Sequence, residues 1–273
     1  MKKRISIDDF HYSCQIHTHQ QSLPYLLMLH GFMGDSRVFS HLLHKLKSSC
    51  NPITIDLLGH GESDKPSTPV KYREEELVSQ VISLIGKLEL SPLFLYGYSM
   101  GGRLALKTAQ AEPDLFKGLI LESSTFGIID KDKRIERREA DRKRAESIKD
   151  DFAAFLKQWE ALPLFSSTAG ERSDLSEIYE MIHAEQNPEA MAAVMRGFST
   201  GAMKAVTKDR QNYYHPVLLV AGSEDRKYVA LNEEMKSLFP NATLKIIEAG
   251  HRVHLDNPEA LCKEINSFIE QNA

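Results

Sequence analysis

Short apolar runs and amphipathic stretches take turns along most of the chain. Tyr25-Leu26-Leu27-Met28-Leu29, Leu93-Phe94-Leu95-Tyr96, Gly118-Leu119-Ile120-Leu121-Glu122-Ser123 and Pro216-Val217-Leu218-Leu219-Val220-Ala221-Gly222 are nearly all apolar and end in glycine or small polar residues. Runs of that length and ending read as strands buried on both faces of a parallel sheet. Ile53 to Leu57 and Thr243 to Ala249 add two more strands. Between them the period lengthens. Arg73 to Lys87 reads as a helix with Leu77, Val81, Leu84, Ile85 and, just beyond, Leu88 on one face, and Ser36 to Lys47 as another. Asn257 as cap and Pro258 at the first helical position open a last helix to about Gln271. Ile5 to Thr18 alternates weakly and breaks at Asp8-Asp9, as an edge hairpin does. Strands alternating with helices predict an α/β fold with a mostly parallel central sheet flanked by helices.

The rhythm stops after the strand at Gly118. From about Phe126 to Arg210 the text is helical and charged, beginning with Lys131 to Glu146. Phe152 to Trp159, Leu162-Pro163-Leu164-Phe165 and Asp174 to Phe198, restarting at Asn187-Pro188-Glu189, continue it. The pattern therefore predicts a core from residues 1–125 and 211–273, with a helical cap inserted at 126–210 that covers a pocket.

The chain's 273 residues can bury a full core. A net charge of -4 argues against nucleic acid or a membrane surface as partner. Cys14, Cys50 and Cys262 are odd in number, scattered and without metal-ligand spacing. They read as reduced thiols of a cytoplasmic protein, and no metal is expected. Basic residues at Lys2, Lys3 and Arg4 have no apolar run behind them, and no stretch has the length of a membrane span.

Candidate chemistry centres on Gly97-Tyr98-Ser99-Met100-Gly101, where an apolar strand breaks and a helix begins. A serine on so sharp a turn needs small neighbours, supplied by the two glycines, and stands beside unpaired N–H groups at the helix start. In an elbow-serine fold the loop after an earlier strand gives a second N–H to a developing oxyanion. Here that points to Phe32 in His30-Gly31-Phe32-Met33-Gly34, with Met100 as the other donor. Nucleophile, acid and histidine in that order, each past a strand end, fall on Ser99, Asp225 and His251. Glu224 rivals Asp225, but the position three after Gly222 has the better spacing. His254 rivals His251, which directly follows a glycine at a strand end, while His60 among glycines reads as a loop-shaping residue. Arg103 shares a helix face with Ser99 and leans toward it. Arg137 has a partner four residues on in Asp141, which suits an exposed ion-paired helix equally well.

These motifs together resemble the α/β-hydrolase superfamily over nearly the whole chain. Within it, Gly97-Tyr98-Ser99-Met100-Gly101-Gly102-Arg103 is similar to the elbow of the 2-succinyl-6-hydroxy-2,4-cyclohexadiene-1-carboxylate synthases of menaquinone biosynthesis. Glu136 to Asp141, Trp159 with Pro163 and Phe165, and Gly250 to Pro258 resemble that family's cap segments and histidine loop. The resemblance implies a lyase that expels pyruvate from a small polycarboxylate, with Ser99 as general base and no cofactor. It also implies substrate contacts from His30, Tyr98, Arg103, Arg137, Trp159 and Phe165. His183 stands where the family tends to have a further substrate arginine. A monomer or homodimer is expected. The same triad would equally serve a serine carboxylesterase or a carbon–carbon hydrolase, and the scaffold could carry a non-catalytic binder.

Overall fold

The computed structural model describes residues 1–166, 173–209 and 211–273. The chain enters through an antiparallel hairpin, β1 (Lys2–Ile7) and β2 (Phe10–Ile16), turning at Asp8 in the left-handed region. It then alternates: β3 (Tyr25–Leu29), the short α1 (Leu43–Leu46), β4 (Asn51–Ile55), α2 (Glu74–Leu88), β5 (Leu93–Tyr98), α3 (Met100–Ala111) and β6 (Gly118–Glu122). Four helices intervene before the sheet resumes: α4 (Lys131–Asp150), α5 (Phe152–Glu160), α6 (Ser173–Ala184) and α7 (Pro188–Gly197). The chain closes with β7 (Val217–Gly222), α8 (Arg226–Lys236), β8 (Ala242–Ile247), α9 (Val253–Asp256) and α10 (Pro258–Asn272).

The eight strands lie in the order β1-β2-β4-β3-β5-β6-β7-β8, antiparallel across β1/β2 and β2/β4 and parallel elsewhere. Because successive side chains on a strand point to opposite faces, each apolar run feeds two cores. Leu27, Leu29, Leu93, Leu95, Leu119 and Leu121 pack on one face with Val81 and Leu84 of α2 and Leu104 of α3. Leu26, Met28, Phe94, Tyr96 and Ile120 pack on the other with Leu261, Ile265 and Ile269 of α10. Each such side chain contributes about 1.5–3 kcal/mol by leaving water, so sheet and helices stabilise one another rather than standing alone.

Three expected elements differ, the last strand by ending at Ile247 rather than Ala249. The helix read over Ser36 to Lys47 is a 3-10 turn at Ser36–Phe39, capped by the Asp35 side chain, followed by the four-residue α1. Val38, Phe39, Leu42 and Leu46 are nonetheless all buried. Their spacing records which side faces the core, and tight turns and helices leave the same trace. The strand expected to reach Leu57 stops at Ile55, because Asp56 turns its carboxylate to accept the N–H groups of Ser36 and Glu62. Between β6 and β7, α4 is solvated along most of its length and buries only Asp141, Ala145 and Ile148. The expected end of the cap at Arg210 lies outside the described residues. Among them, no helix is long and apolar enough to cross a membrane.

Backbone approaches backbone closely where β5 becomes α3. A Cβ on Gly101 would stand 2.2 Å from the Leu29 carbonyl oxygen, and one on Gly97 would stand 2.4 Å from that of Gly101. Backbone cannot yield there as a flexible side chain would. Gly101→Ala is therefore expected to destabilise the protein by about 1–3 kcal/mol, or to prevent its folding, and to abolish any activity depending on Ser99. Urea unfolding followed by circular dichroism measures it; an unchanged midpoint would contradict the packing.

Candidate active site

Three strands deliver the central side chains to the same edge of the sheet. Ser99 follows β5 with φ of 51° and ψ of -107°, a conformation a non-glycine residue holds only at a cost of about 1–3 kcal/mol. Its N–H donates to Glu122 O and its carbonyl accepts from Arg103 N–H, so the turn is fastened at both ends. Asp225 follows β7 and caps α8, its Oδ1 accepting from the Tyr228 N–H. His251 lies between β8 and α9. Its Nδ1–H donates to Asp225 Oδ2 at 2.6 Å, and its Nε2 stands 3.2 Å from Ser99 Oγ. With the carboxylate fixing the proton on Nδ1, Nε2 is left to accept from the hydroxyl. Burial pushes His251 below the ordinary histidine pKa, and the Asp225 hydrogen bond and charge oppose that. The ring is therefore a neutral base at pH 7.

Ser99, Phe32 and Met100 line one cavity with Tyr98, Arg103, Arg137, Trp159 and Phe165. Its empty volume is about 760 Å³, including space continuous with solvent. Met100 is the first residue of α3, so no carbonyl within the helix reaches its N–H, and the positive end of α3 faces the same space. Trp159 packs edge-on to Phe32 at 5.5 Å and tilted against Phe165, also at 5.5 Å, so the aromatic wall joins α5 and the turn after it to the loop that follows β3.

Arg103 is buried, donates from Nη1 to the Phe198 carbonyl at 2.9 Å and lies 4.9 Å from the centre of the Phe198 ring. Burial lowers its pKa to about 10, which leaves it charged at neutral pH. Arg137 is held through Nε by both oxygens of Asp141 at 2.8 Å, the partner four residues on. Both readings of Arg137 therefore meet: the ion pair exists and the side chain still lines the cavity.

Two expected substrate contacts are placed elsewhere. His30 has no exposed surface; its Nε2 accepts the Leu57 N–H and its Nδ1 lies 2.8 Å from Gly31 O, so it braces the Phe32 loop from behind. His183 is also buried, 2.8 Å from Glu160 Oε1 but out of line for a hydrogen bond. Neither ring is part of the cavity wall. Glu224, the rival acid, is exposed. His60 is buried with its Nδ1 near Leu58 O, and burial pushes its pKa far down. His254, the rival base, donates from Nδ1 to the buried Glu122 at 2.7 Å, and its Nε2 accepts from the Tyr179 hydroxyl at 2.6 Å. Tyr96 gives Glu122 a further hydrogen bond.

Sequence reasoning missed Tyr179, Tyr228 and Arg252, which all line the cavity. Arg252 follows His251 directly and was available as a signal; the tyrosines lie within amphipathic helices and carried none. Among the described residues no group of three or more His, Cys, Asp or Glu is placed to hold a metal ion.

Residues 24–258 match the family described as the α/β hydrolase fold. The chain belongs to the α/β-hydrolase fold family. Within that family, a Bacillus subtilis (strain 168) protein provisionally named 2-succinyl-6-hydroxy-2,4-cyclohexadiene-1-carboxylate synthase is 35% identical over 89% of each chain. The synthase of that name from Salmonella paratyphi C is 30% identical over 92% of this chain and 95% of its own. The solved structure of MenH from S. aureus superposes with a TM-score of 0.87 at 31% identity, covering 95% of this chain and 98% of that one. An Exiguobacterium antarcticum esterase, 21% identical with a TM-score of 0.80 and covering 99% and 100%, shares the α/β-hydrolase fold.

Because the base is an imidazole kept neutral by burial, the acid limb of the kcat/KM profile is expected below pH ~6.5. The sign follows from the direction of the shift: a lowered pKa means the base stays unprotonated to lower pH. Asp225→Asn removes what raises that pKa, so the limb should move further down while kcat falls by roughly 10⁴-fold. A limb that moves upward in the variant would contradict the assigned pairing.

Proposed function

We propose that the chain eliminates pyruvate from 2-succinyl-5-enolpyruvyl-6-hydroxy-3-cyclohexene-1-carboxylate to give 2-succinyl-6-hydroxy-2,4-cyclohexadiene-1-carboxylate. The observation that carries this reading is that Arg103 and Arg137 line the same cavity as the Ser99–His251–Asp225 relay. A hydrolase of neutral esters needs the relay but has no use for guanidinium groups in its cavity wall. A substrate with several carboxylates does, because a planar fork of donors orients a carboxylate as well as attracting it.

The chemistry follows from the arrangement. Ser99 Oγ, with its proton drawn toward His251 Nε2, takes the ring hydrogen next to the succinyl ketone. The electrons of that C–H bond pass to the ketone oxygen, where the N–H groups of Phe32 and Met100 stabilise the charge. They then form a ring double bond, the existing one shifts by one position, and the bond to the enolpyruvyl oxygen breaks. Enolpyruvate leaves and takes up a proton at carbon as pyruvate. No covalent acyl-enzyme is formed, so the serine acts as a base rather than as a nucleophile. All three cysteines are buried free thiols, which fits a cytoplasmic setting.

Purified protein is expected to release pyruvate, followed with a lactate dehydrogenase couple, and Ser99→Ala to lose that activity. Arg103→Ala removes one charge-assisted contact and should lower kcat/KM by roughly 10- to 150-fold. Rapid turnover of neutral esters with no pyruvate release would overturn the proposal in favour of an esterase.

A further inference from the structure

Arg252 is the one cavity-lining cation that sequence reasoning did not single out, and its surroundings are unusual for a structural arginine. Its guanidinium lies between two aromatic rings, 4.2 Å from the centre of Phe165 and 4.1 Å from that of Tyr179. Both faces are thus closed to water, and only the edges can reach a partner. Glu160 occupies part of one edge, with contacts of 3.1 and 3.3 Å. Those are longer than the 2.7–2.9 Å typical of a charge-assisted fork. Among the described residues the buried Nε–H has no hydrogen-bond partner. A buried donor without an acceptor is costly, and here it stands beside a cavity from which an acceptor could reach it.

Glu160 is itself held in place. Burial would raise its pKa, but His183 and Arg252 outweigh that and keep the carboxyl down at about 2. Glu160 ends α5, while Arg252 directly follows the catalytic histidine. The cation therefore sits on the Phe165–Tyr179 wall, whereas Arg103 packs on Phe198. The cavity has two separate cationic walls with Ser99 in the same space.

We infer that Arg252 is a substrate-binding residue, gripping a carboxylate at the Phe165–Tyr179 wall, with Glu160 positioning its guanidinium. The inference rests on the polycarboxylate substrate proposed above and assigns one of its carboxylates to a residue. The His183 imidazole, 2.8 Å from Glu160 Oε1, lies beside that carboxylate rather than in the cavity wall.

Two measurements separate this from a purely structural clamp. With the enolpyruvyl substrate, Arg252→Met is expected to raise KM at least tenfold and change kcat less than threefold; Arg252→Lys should recover part of the KM because it restores the charge without the fork. Independently of turnover, Trp159, the only tryptophan, lies in the cavity wall and reports occupancy. Succinate should quench or shift its fluorescence with an affinity that Arg252→Met weakens at least tenfold, whereas uncharged succinamide should not discriminate between the two proteins. Should Arg252→Met not fold, Arg252→Lys and Glu160→Gln carry the same measurements. Unchanged KM together with no Arg252-dependent succinate signal overturns the inference, as does a loss confined to kcat and thermal stability. If no pyruvate is released but succinate affinity still depends on Arg252, the proposed reaction fails and the anion site stands.

Discussion

One imidazole joins oxygens from two distant parts of the chain, and most of the molecule exists to hold it there. The bonds at 2.6 Å to Asp225 and 3.2 Å to Ser99 are short-range and directional, so displacement by an ångström would lose them. No local segment can set them. They follow from three parallel strands, β5, β7 and β8, that end at one edge with β6 between the first two. Both faces of that sheet are packed with apolar side chains, which fixes the strand ends with the rigidity of a close-packed interior. Strain at Ser99 is tolerated because its neighbours on both sides are tied into the sheet and the helix.

Charge is then added in an otherwise apolar space. Arg103 and Arg252 are buried and Arg137 is partly so, each held by aromatic faces, a carbonyl or an acid, in a site where the surroundings screen weakly. Carboxylates bound there would be oriented from more than one side. The same low-dielectric surroundings lower the pKa of His251 and strengthen any charge interaction made there.

Much of this was legible in the sequence because each device leaves a local trace. The β5 elbow needs glycines at fixed offsets, and Gly101 shows why: its missing Cβ would meet the Leu29 carbonyl. Strand runs and the interruption between β6 and β7 could be read from period alone. Asp225 was separable from Glu224 by spacing after Gly222, and the structure leaves Glu224 exposed. The missed parts depend on contacts between segments far apart. Nothing in the run Gly250-His251-Arg252 says that Arg252 will slide between Phe165 and Tyr179 of the cap. Nor does the sequence around His30 reveal that its ring turns away from the cavity to receive the Leu57 N–H. The 3-10 turn at Ser36–Phe39 escaped because burial alone, not helix type, shapes the apolar spacing there.

The buried trio of Glu122, His254 and Tyr179 ties three layers of the protein to one another. Glu122 belongs to β6, His254 to α9 just after His251, and Tyr179 to α6. Tyr179 also supplies one of the faces that sandwich Arg252. Any excursion that carries α6 away from the sheet must break the hydroxyl's bond to His254 and uncover Arg252 at the same time. One side chain of α6 thereby fastens two walls of the cavity at once, the loop that carries His251 and the face of Arg252.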